Sequence, residues 1–246
     1  INGLSPKATV LFSAVACTIT CLSLWVWRFF MKIFLSIIFL FINLIILAPT
    51  GAESHQNRIT IMILGDSLSA GYGLPTESSW VTLLKNRLQN ESPNYHVINI
   101  SISGETTLGG RNRIEQALKL HEPNIVIISL GANDGLRGTS IQTINDNLEM
   151  IIETCQRNHA APILVGMQLP PNYGSAYTQK FHDLYQHIAT RYQLPLIPFL
   201  LEGFADKRDH FLADGIHPNT AAQALILENV WKVLNPLIKT QMQKEG

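Results

Sequence analysis

The chain has 246 residues, with 18 basic against 18 acidic side chains, 46% apolar residues and 15% charged ones. That length suits one α/β domain or two small ones and is enough to bury a full core. Zero net charge on so few ionisable groups excludes a basic face for nucleic acid and an acidic tail.

The average hides an asymmetry. Lys7, Arg28 and Lys32 are the only charges among the first 52 residues, which leaves 15 basic against 18 acidic side chains beyond them. Residues 8–27 form an apolar run about long enough to span a bilayer. It closes on Trp25, Trp27 and Arg28, a cluster suited to a membrane interface. A second run over residues 33–47 follows Met31-Lys32 and leads to Pro49-Thr50-Gly51-Ala52. A methionine, one positive charge, an apolar stretch and then small residues make a secretory signal pattern. The expectation is an upstream hydrophobic segment over residues 1–30 that is not translated, a signal peptide over 31–52 and an exported domain over 53–246. The rival reading is a membrane anchor retained over residues 8–47. Cys17 and Cys21 fall in this leader, so Cys155 has no partner for a bridge within the domain. Its setting, Met150-Ile151-Ile152-Glu153-Thr154-Cys155, reads as a helix with a packed, inert thiol.

Beyond the leader, strands and helices alternate. Residues 58–64, rich in isoleucine and ending at Gly65, read as a buried strand, and residues 77–89 as a helix with Trp80, Val81, Leu83, Leu84 and Leu88 at helical spacing. Residues 95–100 read as a second strand and 110–120 as a second helix. Residues 124–130, with four consecutive β-branched residues from Ile125 to Ile128, read as a central strand buried on both faces. A helix over 141–158, a strand over 163–169, a helix over 177–192, a strand over 194–199 and a helix over 221–233 complete the pattern. Five strands separated by helices predict one domain with a single parallel sheet covered on both faces. Ligands of such sheets bind beyond the carboxyl ends of the strands.

The loops that follow the first three strands are therefore the place to look for chemistry. Ser67 comes directly after strand one. A hydroxyl is a weak nucleophile until a base takes its proton. Near the other end, Asp214-Gly215-Ile216-His217 puts a carboxylate three residues before an imidazole. That spacing lets the acid accept the ring's Nδ1–H and leaves Nε2 free to face a serine. Acyl transfer also needs donors for the developing oxyanion. The backbone N–H groups of Ser67 and Gly104 and the side-chain amide of Asn133 are available, Gly104 being suited to close main-chain approach by its missing Cβ. Leu68, Leu136, Leu169, Pro170 and Tyr173 are candidates for an acyl-chain groove. Gly135 and Gly138 flank Leu136-Arg137 and predict a mobile flap over that groove.

Gly65-Asp66-Ser67-Leu68, Gly104, Gly131-Ala132-Asn133-Asp134 and Asp214-Gly215-Ile216-His217 resemble, in order, the four blocks of the SGNH (GDSL) hydrolase superfamily. The resemblance covers residues 58–220. Longer strings over residues 65–73, 101–107, 131–138 and 214–219 are similar to its bacterial acyl-CoA thioesterase I/protease I/lysophospholipase branch. It implies a flavodoxin-like, three-layer α/β/α fold with no metal or other cofactor, in a periplasmic or secreted enzyme. It makes Ser67 the nucleophile, His217 the base, Asp214 its orienter, and Ser67, Gly104 and Asn133 the oxyanion hole. The implied partners are small acyl esters or thioesters, with no nucleic acid, membrane contact only through an uncleaved leader, and a monomeric state.

Other readings of the same residues are weaker. Ser67 taken alone suits a helix cap, Asn133 suits a turn brace, and Asp66 suits a loop-stabilising acceptor better than a catalytic acid. The remaining histidines are expected at the surface or in packing, His210 beside Asp209 being the one rival base. The segment from Gly104 to Arg111 superficially resembles a phosphate loop but lacks the Lys-Ser/Thr pair. No Gly-x-Gly-x-x-Gly follows a strand, and the serine is not in Gly-x-Ser-x-Gly. Two alternatives are kept: a carbohydrate O-acetylesterase of the same superfamily, and a catalytically silent ligand-binding module on the same sheet.

Overall fold

The computed structural model describes residues 58–245 and, before them, residues 31, 32 and 35. The chain divides into two units, residues 1–55 and 56–246. Of the first, Met31, Lys32 and Leu35 are helical and exposed. The leader's other residues, with Cys17 and Cys21, lie outside the described residues. No described helix is long and apolar enough to cross a membrane.

The second unit is built on five parallel strands: β1 (Ile59–Gly65), β2 (Tyr95–Asn99), β3 (Ile125–Ser129), β4 (Ala161–Val165) and β5 (Leu196–Ile197). They lie in the order β2-β1-β3-β4-β5. Between them run α1 (Ser67–Ala70), α2 (Trp80–Glu91), α3 (Thr107–His121), α4 (Ala132–Leu136), α5 (Ile141–Arg157), α6 (Ser175–Tyr192) and α7 (Thr220–Glu245). α2 and α7 pack together, and α3 packs on α5 and α5 on α6, which gives one helical layer on each face of the sheet. β1 and β3 are buried along their whole length, as central strands covered on both sides must be. The strand order reverses direction between β1 and β3. That crevice is where a doubly wound sheet leaves room for a ligand.

Four expectations need correction. The strand predicted over 163–169 is β4, which starts at Ala161 and stops at Val165; the apolar residues after it signal burial, Met167 being fully buried, but not sheet pairing. β5 is two residues long, not six. Pro195 and Pro198 flank it and have no N–H to give to a ladder. α3 begins at Thr107, three residues early, because the Thr106 hydroxyl caps it by accepting from the Gly109 N–H. α7 runs past Val233 and through Pro236, where the sequence signals a stop. Val230, Leu234 and Ile238, each buried, continue one apolar stripe across the proline, and packing outweighs the lost hydrogen bond.

Residues 132–136 form α4, and the Arg137, Gly138 and Thr139 N–H groups all bond back into it. A Cβ at Gly135 would stand 2.7 Å from Leu169 Cδ2 and 2.8 Å from Phe181 Cε2. At rest the segment over which a flap is expected is packed and hydrogen-bonded.

A different glycine holds β4 against β5. The Gly166 N–H donates to the Ile197 carbonyl at 2.8 Å, and a Cβ there would collide with the Pro198 carbonyl oxygen. Because backbone cannot step aside, Gly166→Ala is expected to lower the unfolding free energy by about 3 kcal/mol in urea denaturation. Gly138→Ala, at φ +70° in open space, is expected to cost about 1 kcal/mol. Equal losses would refute the packing argument.

Candidate active site

The strand–helix junction after β1 sets the position of Ser67. A Cβ at Gly65 would come within 2.8 Å of Ser69, so only glycine lets α1 begin so abruptly. Asp66 caps α1: its Oδ1 accepts from the Leu68 N–H at 3.0 Å, and the side chain is buried. Ser69 points inward and bonds Ser129 at the end of β3 at 3.3 Å, fastening the helix across the crevice. Ser67, first in α1, is left half-buried with its hydroxyl outward.

The segment before α7 folds back on itself to present His217. Leu212 N–H donates to the His217 carbonyl at 2.8 Å, and Gly215, at φ +72°, closes the turn onto Leu212. Arg208 clamps this turn from outside through the carbonyls of Leu212 (2.6 Å) and Ala213 (2.8 Å). Asp214 accepts three times: Oδ1 from the N–H groups of Ile216 (2.9 Å) and His217 (3.0 Å), and Oδ2 from the ring at Nδ1 (2.7 Å). The backbone N–H of Ile216 first, then the His217 ring and backbone, hold this carboxyl down to about 2. Hydrogen bonding does this without burial, since the side chain stays 37% exposed. With Nδ1 occupied, His217 Nε2 faces Ser67 Oγ at 2.9 Å. The structure thus brings Ser67, His217 and Asp214 together in one hydrogen-bonded line.

Two residues that the sequence reading treated only as core or left unread tie these loops to each other. Trp80, fully buried, donates its indole N–H to the Leu68 carbonyl at 3.2 Å. Its backbone N–H donates to Gln223 Oε1 at 3.0 Å, and the Gln223 amide donates to the Pro218 carbonyl at 3.3 Å. A chain of three hydrogen bonds therefore runs from α1 through α2 and α7 to the residue after His217. Their periodicity marks them as inward-facing, but a link between positions 143 apart leaves no local signature.

Three N–H groups stand around the Ser67 hydroxyl's side of the sheet. Those of Ser67 and Gly104 find no acceptor among the described residues. Gly104 is required by its φ of +80°, not by crowding, because a Cβ there would meet nothing within 4 Å. The Asn133 amide nitrogen is engaged at rest, with the Glu105 carbonyl at 3.0 Å and Asp66 Oδ2 at 3.3 Å. Behind it, the buried Asp134 accepts from the Thr107 N–H (2.9 Å) and hydroxyl (2.7 Å), locking α4 to the start of α3.

The remaining candidates are more dispersed. Leu68, Leu136 and Leu169 are half-buried, Leu169 lying against Gly135, while Pro170 and Tyr173 are exposed on a 3-10 turn. A 340 Å³ cavity lies behind α1, lined by Gly71, Leu74, Val81, Lys85, Val97 and Asn99 among others, and includes neither Ser67 nor His217. His210 packs its ring on Phe204 and does not reach Ser67. Cys155 is buried, and burial pushes its thiol up to about 12. Among the described residues no three His, Cys, Asp or Glu side chains are grouped to hold a metal ion.

Asp66 offers a test of this electrostatic picture. Burial raises its carboxyl to about 6 from an ordinary 3.8, only partly offset by the Leu68 N–H and by His217. The folded protein therefore holds a proton that the unfolded chain releases between those values, so this group's contribution falls as pH rises through them. Relative to Asp66→Asn, the wild type is expected to lose about 2 kcal/mol of unfolding free energy between pH 4 and pH 7 in paired urea titrations. A difference that stays constant with pH would show that the carboxyl is not desolvated.

Comparison with known proteins accords with this geometry. The chain is 44% identical over 179 residues to esterase TesA of Pseudomonas aeruginosa, covering 73% of this chain and 89% of that one. It is 38% identical over 200 residues to thioesterase 1/protease 1/lysophospholipase L1 of Escherichia coli, covering 81% and 92%. A crystal structure of TesA superposes with a TM-score of 0.70 at 44% identity, over 72% of this chain and 99% of that one. The sequence profile of the GDSL-like lipase/acylhydrolase family matches residues 63–225, from the Ser67 junction through both donor loops to the Asp-x-x-His turn, and the chain belongs to that family.

Proposed function

We propose that the protein is a serine hydrolase of small acyl esters and thioesters in which Ser67, His217 and Asp214 carry the reaction. The carrying observation is the unbroken line from Asp214 through both ring nitrogens to the Ser67 hydroxyl. His217 Nε2 takes the hydroxyl proton as Ser67 Oγ bonds to the carbonyl carbon. Asp214 fixes the tautomer and offsets the positive charge that develops on the ring. The carbonyl oxygen, now negative, is met by the N–H groups of Ser67 and Gly104. Asn133 joins them by turning a hydrogen from Asp66, its longer contact at 3.3 Å, toward the oxyanion. The tetrahedral species collapses as His217 returns the proton to the departing alcohol or thiol, leaving Ser67 acylated. Water then repeats the sequence in reverse roles and frees the acid.

The family and the names of its relatives support ester and thioester substrates. Large apolar side chains left in water on the same rim support an apolar acyl group. Ile102 is 52% exposed beside the Gly104 loop, Leu108 51% on the first turn of α3, and Ile216 53% next to His217. The sequence reading passed over these three. Its own groove residues Leu68, Leu136, Leu169, Pro170 and Tyr173 extend the same wall in this proposal. The signal-like leader over residues 31–52 supports export to the periplasm or beyond.

Ser67→Ala is expected to lower kcat by roughly 10⁴-fold or more, and a fluorophosphonate is expected to add one equivalent to the wild type and none to this variant. Asn133→Ala is expected to keep the labelling site but lower kcat by roughly 10²–10³-fold. A p-nitrophenyl ester series should favour medium-length acyl groups over acetyl. Preference for acetyl would turn the reading to an O-acetylesterase, and a wild type that neither labels nor turns over would leave only a binding module.

A further inference from the structure

We infer that Tyr72 is a positioning residue for the base: its ring covers one face of the His217 imidazole and stabilises the protonated ring that each proton transfer creates. The inference rests on His217 being the base of the proposed reaction. The two ring centroids lie 4.4 Å apart with their planes at 39°. A cation within about 6 Å of an aromatic centroid is attracted by the negative charge of the π face. An imidazole at this distance gains that attraction only when it is protonated.

The backbone shows that this placement is built. Tyr72 stands between Gly71 and Gly73, both in the left-handed region at φ +77° and +72°. Its N–H donates to the Ser67 carbonyl at 3.3 Å, so the strap starts from the nucleophile's own helix. A Cβ at Gly73 would stand 2.7 Å from Leu212 Cδ1, and Leu212 in turn holds the His217 carbonyl. The strap therefore leaves α1, touches the histidine's turn and carries the ring across between them. Tyr72 is 51% exposed, and no hydrogen bond of its hydroxyl exists among the described residues. Neither burial nor a polar contact accounts for an aromatic residue here, whereas the imidazole face does.

The groups that face His217 are Asp214 on its own turn, Ser67 and Asp66 from the start of α1, and Tyr72 from the strap. Asp66 titrates nearby, at about 6, so the informative comparison is between variants that share it. Tyr72→Phe keeps the π face; Tyr72→Leu and Tyr72→Met keep the cover and remove it. The experiment is kcat against pH on p-nitrophenyl butyrate for the four proteins, with the His217 ring titrated by NMR in each.

Tyr72→Phe is expected to follow the wild type. The leucine and methionine variants are expected to shift both the acid limb and the ring titration down by about half a pH unit, with a two- to five-fold lower plateau. A limb that stays in place or moves up in those variants overturns the inference, as does a phenylalanine variant that behaves like leucine. If the wild-type limb does not follow the His217 titration at all, it is the assignment of the base that fails, and with it this inference.

Discussion

The site depends on one contact of 2.9 Å between two atoms whose residues are 150 positions apart. A displacement of about 1 Å at such a contact is enough to cost roughly two orders of magnitude in rate. Neither partner is held by the other. Ser67 is placed by the end of β1, by the Asp66 cap and by the Ser69–Ser129 bond across the crevice. His217 is placed by Asp214, by Arg208 and by the backbone bond to Leu212. What keeps the two assemblies in register is the Trp80–Gln223 connection, buried between α2 and α7. A buried, fully paired polar link of this sort holds geometry better than apolar packing, because a shifted arrangement would leave unsatisfied donors in the core.

Two carboxylates a few residues from the reacting atoms meet opposite fates, and the difference follows from solvent and N–H donors. Asp214 has three donors and stays wet, so its negative form is favoured far below neutrality. It is therefore a permanent counter-charge for the imidazole. Asp66 is buried with one backbone donor and one amide, and its charged form is resisted. Its contribution is structural at rest, since it caps α1 and holds the Asn133 amide beside the crevice. A strongly solvated acid at that position would cap as well but would not reach inward to Asn133.

Much of this was legible in the sequence, and what was not shares a physical cause. Uninterrupted apolar runs marked β1 and β3, helical spacing marked α2, and the alternation of strands and helices required a parallel sheet. The Asp-x-x-His spacing was readable because its geometry is local. Gly104 carries a second requirement that the sequence does not display: its backbone angle favours glycine, and φ is invisible to composition. The strand ends were misjudged where prolines removed donors, and α7 where distant packing overruled Pro236. The segment expected to form a flap packs at Gly135 on Leu169 and Phe181, which come from other elements. Trp80, Gln223 and Tyr72 act through partners brought to them only by folding.

The rim around the crevice completes the argument. Singly exposed apolar side chains are ordinary on protein surfaces and require no explanation. Here Ile102, Leu108, Tyr173 and Ile216 project from segments that follow the carboxyl ends of strands, while β1 and β3 bury their apolar residues almost completely and the helices leave Leu120, Met150 and Leu225 exposed singly. Four such residues around one crevice suit the apolar acyl group of the proposed substrate. An acyl chain lying along it would remove these residues from water at about 25 cal/mol per Å². The same binding would bring its carbonyl to the Ser67 hydroxyl and the Gly104 N–H. Binding and chemistry would then draw on different atoms of the substrate: the hydrocarbon supplies affinity, and the polar groups at the switch point act only where charge develops.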